Sequence, residues 1–211
     1  MRSSLLAAAL VTLAACSDAP RETAKPAPPP SPVKPPEAYE VEFETSKGSF
    51  TVEVKREWSP RGADHFHELV MSKFYDGARF HRVIRGFVVQ FGINPSPKTN
   101  AIWSTAHIPD DPVKLKNKKG TLTYAKIGPH SRATQVFINL RDNLDLDKSG
   151  FAAFARVTSG MDVVEKLYWS YGELAPRGSG PDPVLAETKG EVYFGEKFPR
   201  LDSITKATVV R

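Results

Sequence analysis

The residues whose types and spacing could do chemistry fall into a few groups along the chain. His65 and His67 stand at i and i+2, an arrangement whose imidazoles diverge on a helix, and no second ligand pair follows at metal-binding spacing. They read as solvent-facing or capping histidines. Gly178-Ser179-Gly180 is followed by proline and lacks the strand-to-helix setting of a nucleotide-binding fingerprint, so it reads as a loop. Lys114, Lys116, Lys118 and Lys119 form a solvated basic loop, and Asp110-Asp111 before Pro112 reads as turn chemistry. The single cysteine, Cys16, excludes an internal disulfide and any cysteine-based zinc cluster. One stretch stands apart, Phe80-His81-Arg82-Val83-Ile84-Arg85-Gly86-Phe87-Val88-Val89-Gln90. It interleaves a guanidinium, an aromatic ring and a carboxamide with apolar residues.

Those side chains need strands to hold them. Val41, Phe43 and Thr45 alternate with glutamates, Ser46-Lys47-Gly48 turns, and Phe50, Val52 and Val54 alternate again, which is a β-hairpin pattern. Further strands are expected at 79–84, 87–91, 120–126, 135–140 and 151–157, and again near 204–210. Ser59-Pro60 has the form of an N-cap and first turn, with Ala63, Phe66, Leu69 and Val70 on one helical face. A second helix is expected after Gly160, presenting Val163, Val164, Leu167 and Tyr168. Many short strands and two helices in one domain predict a mainly β fold, a closed barrel capped by helices.

The stretch from Phe80 to Gln90 resembles the signature of the cyclophilins, which runs F-H-R-[IV]-[IV]-x-G-F-[MV]-x-Q. Gly120-Thr121-Leu122-Thr123-Tyr124-Ala125, Gly128-Pro129 and Gln135-Val136-Phe137-Ile138-Asn139 resemble a second block of that family, with unchanged internal spacing. Phe154 to Leu167 fits a third, and the likeness covers roughly Tyr39 to the C-terminus. It implies an eight-stranded barrel with two capping helices, a shallow outer groove, and isomerisation of the bond preceding proline. Arg82 matches the family's catalytic arginine. Phe87, Val88, Phe137 and Leu146 match the apolar pocket for the proline ring, and Gln90 matches the glutamine that bonds the substrate backbone. Ala125 and Lys126 match the strand edge along which the preceding residues lie, and Gln135 belongs to the same binding set. The chain departs from the family at Lys126 (often Asn), Val88 (usually Met), Phe91 (often Gly) and Phe151, which stands for a pocket-wall His. Asp145 aligns with the rim aromatic, so weak binding of cyclosporin is expected.

Rotation about an amide breaks no bond, so no nucleophile, metal or cofactor is implied. Its barrier of about 18–20 kcal/mol reflects lost resonance, and a donor that engages the twisted amide nitrogen lowers it by differential binding. The partners implied are proline-containing polypeptides. A non-catalytic, tethered module that only holds proline peptides, or acts as a chaperone, is the alternative reading.

The 211 residues suit one domain with appendages, and the charge of +5 is spread too evenly to argue for a nucleic-acid partner. Arg2 and the apolar run Leu5 to Ala15 form a secretory signal. That run would span roughly 16 Å as a helix, too short for a bilayer. It ends Leu13-Ala14-Ala15-Cys16, which resembles a bacterial lipobox whose cysteine is acylated. A plain signal with a chance cysteine is the other reading, but the chain's only cysteine falls at the required place. By the same resemblance, Ser17 favours the outer membrane. Eight prolines between Pro20 and Pro36 make an extended spacer of about 50 Å, or alternatively a proline-rich ligand. The expected organisation is a signal at 1–15, a tether at 16–37 and a monomeric domain at 38–211, lipid-anchored in a bacterial envelope and facing the periplasm.

Overall fold

The computed structural model describes residues 35–211. The signal, Cys16 and most of the proline-rich tether lie outside them. Among the described residues no helix is long and apolar enough to cross a membrane.

The first hairpin forms as its alternation requires. β1 (Ala38–Thr45) pairs antiparallel with β2 (Gly48–Lys55), Val41 opposite Val52 and Phe43 opposite Phe50. Those residues face inward and are fully buried, while the interleaved glutamates face out. The other strands are β3 (Arg82–Ile84), β4 (Val88–Phe91), β5 (Thr121–Tyr124), β6 (Val136–Asn139), β7 (Ala153–Ser159) and β8 (Ile204–Val209). They form one antiparallel sheet in the order β3-β4-β6-β5-β7-β2-β1-β8. Its curled inner face holds the core, with Phe43 stacked on Phe50 at 4.8 Å and Phe66 against Phe154 at 4.8 Å.

All eight expected strands are present, each within a few residues of its expected bounds. The closure is less complete than expected. No ladder joins the end strands β3 and β8 among the described residues. The segments ahead of them meet instead at the bridge Arg79–Ser203, supported by Phe80 N–H to Asp202 O at 3.0 Å and Ile204 N–H to Ala78 O at 2.8 Å. The fold is a sheet curled into a half-barrel with helices against it.

Helix α1 (Pro60–Met71) starts at Ser59-Pro60 as expected, but the capping differs. Ser59 Oγ donates to Asp111 at 2.6 Å rather than accepting from its own helix. Asp111, 52 residues on, takes the Gly62 N–H at 3.0 Å and the Arg132 guanidinium at 3.0 Å. This corrects the reading of Asp110-Asp111 as turn chemistry alone, because the Asp111 side chain is fully buried. Burial opposes its ionisation, yet the bonds from Ser59, Gly62 and Arg132 prevail and hold its carboxyl below the usual range.

After α1, where one further helix is expected, the described residues form four. α2 (Pro97–Trp103) begins at Ser96-Pro97, whose hydroxyl accepts from Thr99 N–H at 3.4 Å. α3 (Asp145–Lys148) is one turn. α4 (Met161–Glu165) is shorter than its apolar pattern, because Asp202 takes the Tyr168 N–H at 2.7 Å and ends it. α5 (Pro183–Lys197) has no counterpart among the expected elements. Asp182 caps it, accepting from Leu185 N–H at 2.9 Å, with Pro183 in the first turn. It breaks at Gly190, where φ is 55° and a Cβ would strike the Pro95 carbonyl. That break lets Glu191 N–H reach the same carbonyl at 3.0 Å, seating α5 against α2 over a small second core of Ile93, Ala186, Phe194 and Leu201.

Removing the Asp111 carboxylate would leave Arg132, whose side chain is 3% exposed, with the more distant Asp110 at 3.5 Å as its remaining counter-charge. Asp111→Ala is expected to destabilise the domain by about 3 kcal/mol, read as a lowered urea midpoint at constant slope. A shift equivalent to less than about 1 kcal/mol would show that the cluster is not the clasp it resembles.

Candidate active site

The hairpin β3–β4 sets the geometry. Its turn is closed by Phe87 N–H to Ile84 O at 3.0 Å, with Gly86 at φ 68°, a conformation other residues adopt only with strain. That turn puts Arg82 opposite Gln90, and the next ladder puts Gln90 opposite Phe137. Directly opposed residues share a face, so guanidinium, carboxamide and ring stand side by side across β3, β4 and β6. Their neighbours Val83, Val89, Phe91, Val136 and Ile138 turn into the core.

Around that row lies a groove of about 610 Å³. Its lining includes every residue of the expected catalytic and substrate-binding set: Arg82, Phe87, Gln90, Phe137, Val88, Ala125, Lys126, Gln135, Leu146 and Phe151. Phe137 and Val88 are buried at 5% and 1% exposure, and the Phe137 ring meets Phe151 edge-on at 6.0 Å. Lys126 Nζ sits 5.3 Å from the Phe151 ring centroid and 3.1 Å from an Asp110 oxygen, so the carboxylate steadies it over the ring.

The loop bearing Leu146 and Phe151 is tied from behind by buried amides. Asn117 Nδ2 donates to Asp147 at 2.8 Å and to Phe151 O at 2.7 Å, while its Oδ1 accepts from Thr123 at 2.7 Å. Asn143 Nδ2 reaches Asn139 Oδ1 at 2.8 Å and Phe87 O at 3.1 Å. Apart from Asn143 Oδ1, which has no partner among the described residues, these side-chain amides are bonded, and such a network rigidifies what it touches.

Arg82 has partners that sequence reasoning missed. Its Nε donates to Glu173 Oε1 at 2.6 Å and its Nη2 to Glu173 Oε2 at 2.7 Å, a bidentate pair. Its Nη1 donates to Gln90 Oε1 at 3.2 Å. Gln90 Nε2 donates to Gln135 Oε1 at 2.8 Å, and Gln135 Nε2 to Glu187 Oε1 at 3.0 Å. The Arg82 bonds hold the Glu173 carboxyl below its usual range, against a smaller opposing effect of burial. Glu173, Leu174, Arg177, Pro183 and Glu187 also line the groove. No spacing rule connects residues 91 positions apart; the only local signals were Asp182-Pro183 and the glycines of 178–180.

Other expected positions fall elsewhere. Asp145 is not part of the groove lining; its carboxylate is 95% exposed and pairs with Lys148. His65 is buried beside Trp103 and Tyr124, not solvent-facing, and His67 packs edge-on against Tyr39 at 5.1 Å. In the basic loop, Lys116 pairs with Asp147 and Lys119 with Glu165.

With this geometry in place, comparison with known proteins identifies the class. Residues 40–176 match the sequence model of the cyclophilin type peptidyl-prolyl cis-trans isomerase/CLD family. The chain belongs to that family and is a peptidyl-prolyl isomerase. A peptidyl-prolyl cis-trans isomerase of Acinetobacter baylyi is 38% identical over 136 residues, covering 60% of this chain and 70% of its own. Peptidyl-prolyl cis-trans isomerase B of Escherichia coli is 35% identical over 142 residues, covering 60% and 82%. Among solved structures, a cyclophilin-type isomerase of Cryptosporidium parvum superposes with TM-score 0.60 at 19% identity, over 82% of this chain and 98% of that one. The same protein was also crystallised in the presence of the dipeptide Ala-Pro. A cyclophilin of Hirschia baltica gives TM-score 0.59 at 18% identity, over 82% and 74%. At these identities the structures show the fold. The family match ends at Pro176, so Arg177, Glu187 and α5 lie beyond it.

His81, beside Arg82, is 1% exposed, and burial pushes its imidazole down to about 4. The unfolded chain binds this proton below about pH 6.5 and the folded chain only near 4. Stability is therefore complete above about 6.5 and falls between there and 4, by about 3 kcal/mol from this residue. Urea titrations across that range should show the loss, with buried His65 adding in the same direction. His81→Gln is expected to shrink it. An unchanged pH dependence in that variant would contradict the assignment.

Proposed function

We propose that the protein assists folding in a bacterial envelope by turning X-Pro bonds in this groove, with Arg82 as the catalytic donor. The observation that carries the reading is the opposed row Arg82–Gln90–Phe137. It sets a cation donor beside the apolar side chains of Phe87, Val88, Phe137 and Leu146 in the groove.

Phe137, Val88, Leu146 and Phe87 hold the ring by burying its methylenes, each worth about 0.8 kcal/mol. Phe151 extends that wall. Gln90, flanked by Gln135, bonds the substrate backbone and fixes its orientation. Ala125 and Lys126 carry the residues before proline. In the planar ground state the prolyl nitrogen's lone pair is delocalised and accepts poorly. On twisting it localises, and a guanidinium N–H beside it gains a bond that exists only near the barrier top. The family's isomerase activity, the groove's apolar lining and the placement of Arg82 support this mechanism. The lipobox-like Cys16 and the proline-rich stretch support delivery to the envelope, with an acylated N-terminus tethering the domain on the periplasmic side of the outer membrane.

Arg82→Ala is expected to lower kcat/KM on a proline tetrapeptide about a hundredfold, the effect of losing one strong electrostatic donor, with the fold intact by circular dichroism. A protease-coupled isomerase assay measures it, and full activity in the folded variant would refute the role. Expressed in a Gram-negative host, the full chain is expected to incorporate labelled palmitate and to sediment with the outer membrane, while Cys16→Ser is expected to lose the label. An unlabelled parent chain would reduce the N-terminus to an ordinary secretory signal and leave the catalytic reading intact.

A further inference from the structure

The Arg82–Glu173 pair is the feature the mechanism above does not use. A guanidinium at the end of a long side chain has many rotamers, and holding it at the reacting bond costs conformational entropy in every turnover. Here that freedom is removed in advance. Glu173 takes Nε–H and one Nη2–H in the plane of the guanidinium, which leaves the Nη1 edge turned to Gln90. The Phe87 ring lies against the guanidinium at 5.6 Å and closes one face.

The clamp is itself built. Glu173 Oε1 also accepts the Leu174 N–H at 2.8 Å, and its backbone carbonyl accepts the Gly180 N–H at 2.8 Å. Gly178 N–H bonds Leu174 O at 3.0 Å, and a Cβ at Gly178 would collide with the Glu173 carbonyl. The glycines read as a plain loop thus fold a tight turn around this one residue. Its base is rooted by Tyr171 on Phe198, 5.0 Å between centroids, and by Asp182 N–H donating to Tyr193 Oη at 3.0 Å. With side-chain exposures of 17% for Arg82 and 28% for Glu173, the pair is partly shielded from water, unlike an ordinary surface bridge. The charged groups around it are Arg177 on the same loop, Glu187 on α5 and Lys126 across the groove.

We infer that Glu173 is a positioning residue for the isomerase reaction, holding Arg82 so that its Nη1 arm faces the prolyl bond. The inference rests on Arg82 being the catalytic donor. Glu173 touches no reacting atom and acts through the guanidinium alone.

The full chain, its Glu173→Ala and Glu173→Gln variants and Arg82→Ala separate the possibilities. In the parent protein the Arg82 Nε–H should give a slowly exchanging NMR resonance, assigned by its loss in Arg82→Ala. Glu173→Ala is expected to lose that resonance and to lower kcat about tenfold with KM changed less than about twofold, since misplacing a catalytic group costs rate rather than binding. Glu173→Gln keeps one acceptor oxygen and should recover part of both. If Arg82→Ala is inactive while Glu173→Ala matches or exceeds the parent, the positioning role is overturned and the carboxylate is a bystander or a competitor of the substrate. A parent protein without a protected Nε–H would overturn it equally. If Arg82→Ala is as active as the parent, the catalytic reading itself fails, and positioning fails with it.

Discussion

A β-sheet offers each strand two faces, and a slip of one residue exchanges them. In this protein the exchange would be fatal to both core and groove. On β3, β4 and β6 the groove residues Arg82, Val88, Gln90 and Phe137 alternate with the core residues Val83, Val89, Phe91, Val136 and Ile138. The turn at Gly86 sets the pairing of Arg82 with Gln90, and the β4–β6 ladder carries it on to Phe137. The hydrophobic effect enforces the register, because these buried apolar side chains would otherwise face water, at about 1.5–3 kcal/mol each. The groove's geometry follows from how the core packs.

Loops finish what the strands begin, and each is held by polar atoms wholly or partly shielded from water. Asn117 and Asn143 tie down the segment bearing Leu146 and Phe151. Asp111 joins α1 to Arg132. Glu173 and Glu187 come from beyond β7 and meet the row from its open side, one by direct bonds to Arg82 and the other through Gln135 and Gln90. The guanidinium thereby stands in a fixed field rather than a solvated one, which is where a hydrogen bond formed only on twisting has most effect.

Much of this was legible in the residues. Period-two alternation located the strands, the stretch from Phe80 to Gln90 carried Arg82 and Gln90 of the groove's central row, and the block from Gln135 to Asn139 carried Phe137. Readings failed where the physics is long-range. Ser59 looked like a cap, but Asp111 does the accepting. His65 lies buried between rings contributed by α2 and β5, which no local pattern records. α5 escaped notice because Gly190 and Gly195 interrupt its apolar face, although Ser96-Pro97 and Asp182-Pro183 were start signals for α2 and α5. Glu173 gave no signal, since a clamp between distant loops exists only once the chain is folded.

The central claim is that this groove turns a prolyl bond by binding alone. Exchange NMR on an isotope-labelled Ala-Pro peptide mixed with the full-length protein, at a small fraction of the peptide concentration, tests that claim most directly. The account predicts cross-peaks between the cis and trans resonances of the peptide, absent without protein, with the peptide recovered covalently unchanged. Resonances that shift on titration while cis and trans remain unexchanged would contradict it, and would make the groove a binding site without turnover.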